Sequence, residues 1–196
     1  MLGNEILNLE INQSRIEVHV QDLNHNQNFL ISTKTLINAA GLEAVRWANH
    51  INEKEIFTLR LLKGEYYSYS GKEKLNHLIY PLPTKDSLGA HATIDLGKGI
   101  RFGPSAYEVD VENYEISKDQ KKNFYETVLQ YWPSLDYEDL EPAYTGIRPL
   151  LKDIEDFVID IKTENDNKLI SVLGYSSPGL TSSLALGEKI QKILYD

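Results

Sequence analysis

Four short segments carry residue types that ordinary packing does not demand. Asn38-Ala39-Ala40-Gly41 closes a short apolar run with small side chains. Small residues let a backbone approach a flat or phosphorylated ligand, and Gly41 admits a turn closed to other residues. Gly174-Tyr175-Ser176-Ser177-Pro178-Gly179-Leu180-Thr181-Ser182-Ser183 leads from another apolar run straight into a helical pattern. A helix start offers unpaired N–H groups and about half a positive charge, which suits an anionic or electron-rich edge of a ligand. Tyr144-Thr145-Gly146-Ile147-Arg148-Pro149 fixes an arginine beside glycine and proline, where its planar fork can clamp a carboxylate through two parallel hydrogen bonds. His91, between Ala90 and Ala92, carries an imidazole, a side-chain type that can serve as a general base. Each feature also has a plainer reading: a strand-to-helix turn, a capped helix, a surface cation, a structural histidine. Residue types alone leave both readings open.

Other chemistries find less support. The string Gly97-Lys98-Gly99-Ile100-Arg101-Phe102-Gly103 resembles a dinucleotide fingerprint, but its third glycine comes one place late and a β-hairpin is predicted around it. The five histidines are scattered without metal-ligand spacing, so no metal site is indicated. There is no Gly-x-Ser-x-Gly elbow. Cysteine is absent, which removes disulfides, thiolate ligands and a thiol nucleophile. A net charge of -9 argues against nucleic acid as a partner. No apolar run approaches the roughly 20 residues of a membrane span, so no transmembrane segment is expected. The first ten residues lack the pattern of a signal peptide, and a cytoplasmic location is the expectation.

The elements around these segments read as α+β. Ile16, Val18 and Val20 alternate as in a half-buried strand, and the polar turn 22–28 returns through Phe29-Leu30-Ile31. Thr35 to Asn38 reads as a strand and Leu42 to His50 as a helix. Leu59 to Tyr69 is one long strand carrying Tyr66, Tyr67 and Tyr69, and Leu78-Ile79-Tyr80 leaves the sheet at Pro81-Leu82-Pro83. Ala90–Asp95 and Ile100–Pro104 form a hairpin. Ser117 and Gln120 have capping-box spacing ahead of a helix that buries Phe124, Val128 and Trp132. Asp136 to Pro142 reads as an acidic loop. Phe157–Lys162 and Leu169–Leu173 pair as strands, and a last helix runs from about Thr181.

In order along the chain, these segments resemble successive landmarks of the L-2-hydroxyglutarate dehydrogenases, a group of the D-amino-acid-oxidase-like flavoproteins. The landmarks are Leu36-Ile37-Asn38-Ala39-Ala40-Gly41-Leu42, Lys63-Gly64-Glu65-Tyr66-Tyr67, Leu78-Ile79-Tyr80-Pro81-Leu82-Pro83 and Leu88-Gly89-Ala90-His91-Ala92-Thr93. Ile100-Arg101-Phe102-Gly103-Pro104-Ser105-Ala106, Tyr144-Thr145-Gly146-Ile147-Arg148-Pro149 and Ser177-Pro178-Gly179-Leu180-Thr181-Ser182-Ser183-Leu184 complete the series. Singly each is weak; seven in register are a strong signal.

The resemblance implies an FAD enzyme that oxidises a 2-hydroxy acid such as L-2-hydroxyglutarate by hydride transfer to flavin N5. It places Ala40 and Gly41 near FAD, and Pro178, Gly179, Leu180 and Thr181 along the isoalloxazine edge. Arg148 would hold the substrate carboxylate with Tyr66 beside it, and His91 is the candidate base. The implied fold is an antiparallel substrate-domain sheet with flanking helices plus the C-terminal remnant of an FAD-binding domain. Residues 1–55 would be partial FAD-binding domain, 56–143 the substrate-binding sheet with one helix, and 144–196 a return to the FAD-binding domain. The family's opening strand and Gly-x-Gly-x-x-Gly turn are not in the sequence. Three expectations follow: a split flavoenzyme completed by a separate N-terminal flavin-binding chain, an inactive truncated remnant, or a non-redox carboxylate-binding protein.

Overall fold

A computed structural model describes residues 2–82 and 89–195. Pro83 and Leu88, which belong to two of the motifs above, lie outside the described residues. The chain divides into two units, Met1–Arg60 with Pro149–Asp196, and Leu61–Arg148.

In the first unit, alternation decides the opening sheet. Strands β1 (Asn4–Ile11), β2 (Ile16–Asp22) and β3 (Gln27–Thr33) form an antiparallel meander. Ile16, Val18 and Val20 face one way and are buried with Leu9. Helix α1 (Ala44–Asn52) covers that face with Trp47 and Ile51. A second sheet runs in the order β10 (Val158–Glu164), β11 (Asn167–Leu173), β4 (Thr35–Asn38), with β4 parallel to β11. Strand β11 is apolar on both sides because both sides are covered. Leu173 packs with Ala44, Val45 and Ala48 of α1. Ile170 and Val172 pack with Leu186, Ile190, Ile193 and Leu194 of helix α3 (Gly179–Tyr195).

The second unit is built on β5 (Leu59–Tyr69), which pairs with β7 (Ile100–Gly103), β8 (Tyr107–Val109) and β9 (Leu140–Leu151); β6 (His91–Ile94) pairs with β7. The two unit junctions fall within β5 and β9. Tyr67, Ala92, Ile100 and Phe102 share the inner face and pack on Phe124 and Val128 of helix α2 (Gln120–Leu129), with Trp132, Leu135 and Leu140 closing the core. The turn from β6 to β7 is held by Asp95, whose backbone and carboxylate accept from Lys98 and Gly99. The fingerprint-like glycines therefore sit in a hairpin, as their context implied.

The α+β class stands, but two local expectations do not. The capping box is not formed: α2 begins at Gln120, with no side-chain cap. Ser117 instead donates its amide to the buried Glu65 Oε1 at 3.0 Å and accepts from Tyr67 on its carbonyl. The acidic loop ends early, because Leu140 is wholly buried and starts β9 after a 3-10 turn over Tyr137–Asp139. Asp139 O accepts from Ser70, just past the end of β5, and Glu141 O from Ser68 of β5, a pairing no local pattern announces. Strand β8 was likewise unexpected. Among the described residues no helix is long and apolar enough to cross a membrane.

Candidate functional site

The outer face of the second unit's sheet gathers the predicted substrate-side residues. His91 pairs with Gly103, and the β5–β7 register, continued one residue from Tyr67↔Phe102, sets Gly103 opposite Tyr66. Directly opposed residues share a face, so Tyr66 and His91 stand on the side opposite the Tyr67 core, with a glycine between them. Tyr66 stacks on Tyr144 of β9 (centroids 4.5 Å apart, planes 13° apart), and His91 lies against Tyr80 at 4.1 Å. Leu140 is buried in the core beneath the sheet while Tyr144 lies above it.

Arg148 completes the group. Burial pushes the Tyr66 phenol above its ordinary pKa and Tyr144 adds to this, while the charge and hydrogen bonding of Arg148 pull the other way. The phenol is thus a proton donor at neutral pH. Glycines open the floor: a side chain at Gly64 would meet Pro104 at 3.1 Å and come within 4.0 Å of the Arg148 guanidinium, and nothing lies within 4 Å of one at Gly146. At Gly103, a Cβ would stand 2.6 Å from Tyr66 Cδ1 and 2.8 Å from Glu65 O, at a φ of 147°. Gly103→Ala is therefore expected to destabilise the chain by about 2–4 kcal/mol and to displace Tyr66. Thermal unfolding and the near-ultraviolet tyrosine signal would show it, and an unchanged signal would contradict the packing described.

The predicted cofactor-side residues lie in the first unit. Buried Asn38 donates to Ala44 O (2.8 Å) and Ser171 Oγ (3.2 Å), and its own oxygen accepts from the Ala40 amide. This holds the turn from β4 towards α1, leaving Ala39, Ala40 and Gly41 exposed and Gly41 at a φ of 61°. A hollow of about 300 Å³ adjoins them, lined by Ile37, Asn38, Ala39, Ala40 and Trp47 among others. At the start of α3, Pro178 has no N–H and Gly179 donates back to Ser176 O. Because helix starts leave their first amides unpaired, Leu180 and Thr181 present free N–H groups, and Leu180 is 91% exposed.

Residues 2–192 match the family model for FAD dependent oxidoreductases, DAO. The chain belongs to that family. It is 29% identical to the mitochondrial L-2-hydroxyglutarate dehydrogenase of Arabidopsis thaliana over 94% of its own length and 44% of that protein's. It is 30% identical to the glycerol 3-phosphate oxidase of Mycoplasma genitalium, covering 92% of this chain and 49% of the relative. The dithionite-reduced, FAD-bound L-α-glycerophosphate oxidase of Mycoplasma pneumoniae shares the fold (TM-score 0.81, 24% identity, 98% of this chain and 50% of that one). The chain thus spans about half the length of the curated relatives it matches.

FAD is the cofactor of this family and of its solved neighbours. The first unit fits a flavin: exposed small residues permit close approach at Ala39–Gly41, and two free amides at the start of α3 suit a developing negative charge. Sequence reasoning missed Tyr144 as the stacking partner of Tyr66, and Arg101, whose guanidinium lies 5.5 Å from the Tyr144 centroid. Only cross-strand register brings them together. Glu10, Glu17 and His19 also approach one another across β1 and β2 without metal-ligand sequence spacing, a grouping that solvated strand faces commonly show.

Proposed function

We propose that this chain supplies the substrate-holding face and the isoalloxazine-edge loops of an FAD-dependent oxidoreductase that converts a 2-hydroxy acid of the L-2-hydroxyglutarate type to the 2-oxo acid. The observation that carries this is the assembly of Arg148, Tyr66 and His91 on one glycine-floored sheet face. Arg148 binds the carboxylate through its planar fork. Tyr66, kept protonated by burial, donates to the substrate. His91 takes the hydroxyl proton as the C2–H bond breaks. FAD would supply the hydride acceptor for that step. Ala40 and Gly41 would hold the cofactor on one side, and Pro178, Gly179, Leu180 and Thr181 would hold it at its ring edge. Under this reading the first unit is partial FAD-binding domain and the second the substrate domain.

Glycerol 3-phosphate oxidation is the second reading, favoured by the 30% identity to the Mycoplasma genitalium oxidase. The test is reduction of a dye acceptor by this chain in an FAD-loaded assembly that includes a dinucleotide-binding turn of the family. L-2-hydroxyglutarate is expected to drive turnover and glycerol 3-phosphate is not. The reverse preference would establish the second reading, and a flavin-loaded assembly that turns over neither would leave a non-redox carboxylate-binding protein.

A further inference from the structure

We propose that Arg101 reads a second acidic group at the far end of the substrate, so that the site prefers 2-hydroxy acids carrying a distal carboxylate. This deepens the reading above and rests on its assignment of Arg148 to the first carboxylate. Arg101 pairs with Thr93 on one side and Ser68 on the other, in strands where Gly103, His91 and Tyr66 sit two residues away. Two-residue spacing returns a side chain to the same face, so Arg101 shares the outer face with Tyr66 and His91. Its guanidinium lies over Tyr144 at 5.5 Å, and Tyr144 stacks on Tyr66. One arginine thus acts on Tyr66 and another on Tyr144, the two halves of a single stack.

Arg101 is held in place by more than chance. Its Nη2 meets Asp95 Oδ2 at 2.9 Å, and Asp95 is itself fixed in the hairpin turn by the Gly99 amide at 2.8 Å. Arg101 remains 40% exposed and Asp95 30% exposed. A guanidinium carries five N–H donors in a rigid fork, and the contact with Asp95 uses one edge. The rest of the fork, pinned by an ion pair and an aromatic face, is left for a second anion. A site with a cation for each end suits a diacid. A monocarboxylic acid, or glycerol 3-phosphate with its charge at one end, would leave one arginine without a partner.

The test is titration of the flavin-free chain with glutarate and with butyrate, followed by tyrosine and arginine side-chain NMR shifts. Charge-assisted hydrogen bonds of this kind change affinity about ten- to hundredfold. The wild-type chain is expected to bind glutarate tighter than butyrate by about that factor. Arg101→Gln is expected to remove the advantage while leaving butyrate binding unchanged, and Arg101→Lys to restore part of it. Loss of an exposed ion pair should leave the thermal midpoint nearly unaltered, so a folding defect is separable. Equal effects of Arg101→Gln on both ligands, or none, would overturn the proposal while a loss of both in Arg148→Gln preserved the carboxylate reading. Unchanged binding in Arg148→Gln, or no saturable binding by the wild-type chain, would overturn both.

Discussion

Substituting His91 with glutamine is expected to slow 2-hydroxy-acid oxidation by the flavin-loaded assembly about 10²- to 10⁴-fold while glutarate affinity stays within about twofold. The split between rate and binding follows from the geometry. His91 stands in the row Tyr66, Gly103, His91, on the face that carries Arg148, and its ring lies against Tyr80 at 4.1 Å. Glutamine keeps polarity and approximate length but cannot take a proton. Tyr66 is not an alternative base, because burial and Tyr144 hold its phenol above the ordinary pKa. A group with a raised pKa keeps its proton throughout the neutral range and loses it only in alkali. Single-turnover flavin reduction is the direct measurement. An unaltered rate in His91→Gln would move the base elsewhere and leave the histidine a packing role on Tyr80.

Lys63→Met is expected to lower unfolding free energy by about 3–5 kcal/mol, the cost of leaving a buried charge without its partner. Glu65 is wholly buried and Lys63 is 4% exposed, and the two meet at 3.4 Å. Glu65 Oε1 also accepts from Tyr107 Oη at 2.6 Å and from the Ser117 amide at 3.0 Å. Its Oε2 has no hydrogen-bond partner among the described residues. Burial, then the hydrogen bond to Glu65, pushes the Tyr107 phenol well above its usual range, so it stays a donor. Lys63 donates in turn to the Glu115 carbonyl. The network ties β5 to the segment leading into α2 and so steadies the strand that carries Gly64 and Tyr66. Denaturant unfolding measures the loss. A double variant, Lys63→Met with Glu65→Leu, should recover much of it, since replacing both charges removes the desolvation cost. A single variant as stable as wild type would mean that water reaches the carboxylate.

Much of the fold was legible because its signals are local. Ile16, Val18 and Val20 announce β2, the polar run 22–28 its hairpin, and Leu169–Leu173 a strand that pairs with Phe157–Lys162. The failures share one cause. Ser117 has the residue type of a helix cap, but its amide is claimed by Glu65, 52 residues away. Leu140–Pro142 looks like loop by composition, yet β5 recruits it as a strand. In both cases a distant partner outcompeted the local preference.

The same line divides the site. By itself the sequence determined family membership and named the candidate residues: the small turn at Ala39–Gly41, the helix start after Pro178, Arg148, Tyr66 and His91. Those are properties of chain order, and they survive without coordinates. Only the tertiary structure decided which residues face one another. Strand register put Gly103 between Tyr66 and His91, stacked Tyr144 on Tyr66, and carried Arg101 onto that stack. Register is set by pairing between segments tens of residues apart, and a one-residue slip would turn each of those side chains to the opposite face.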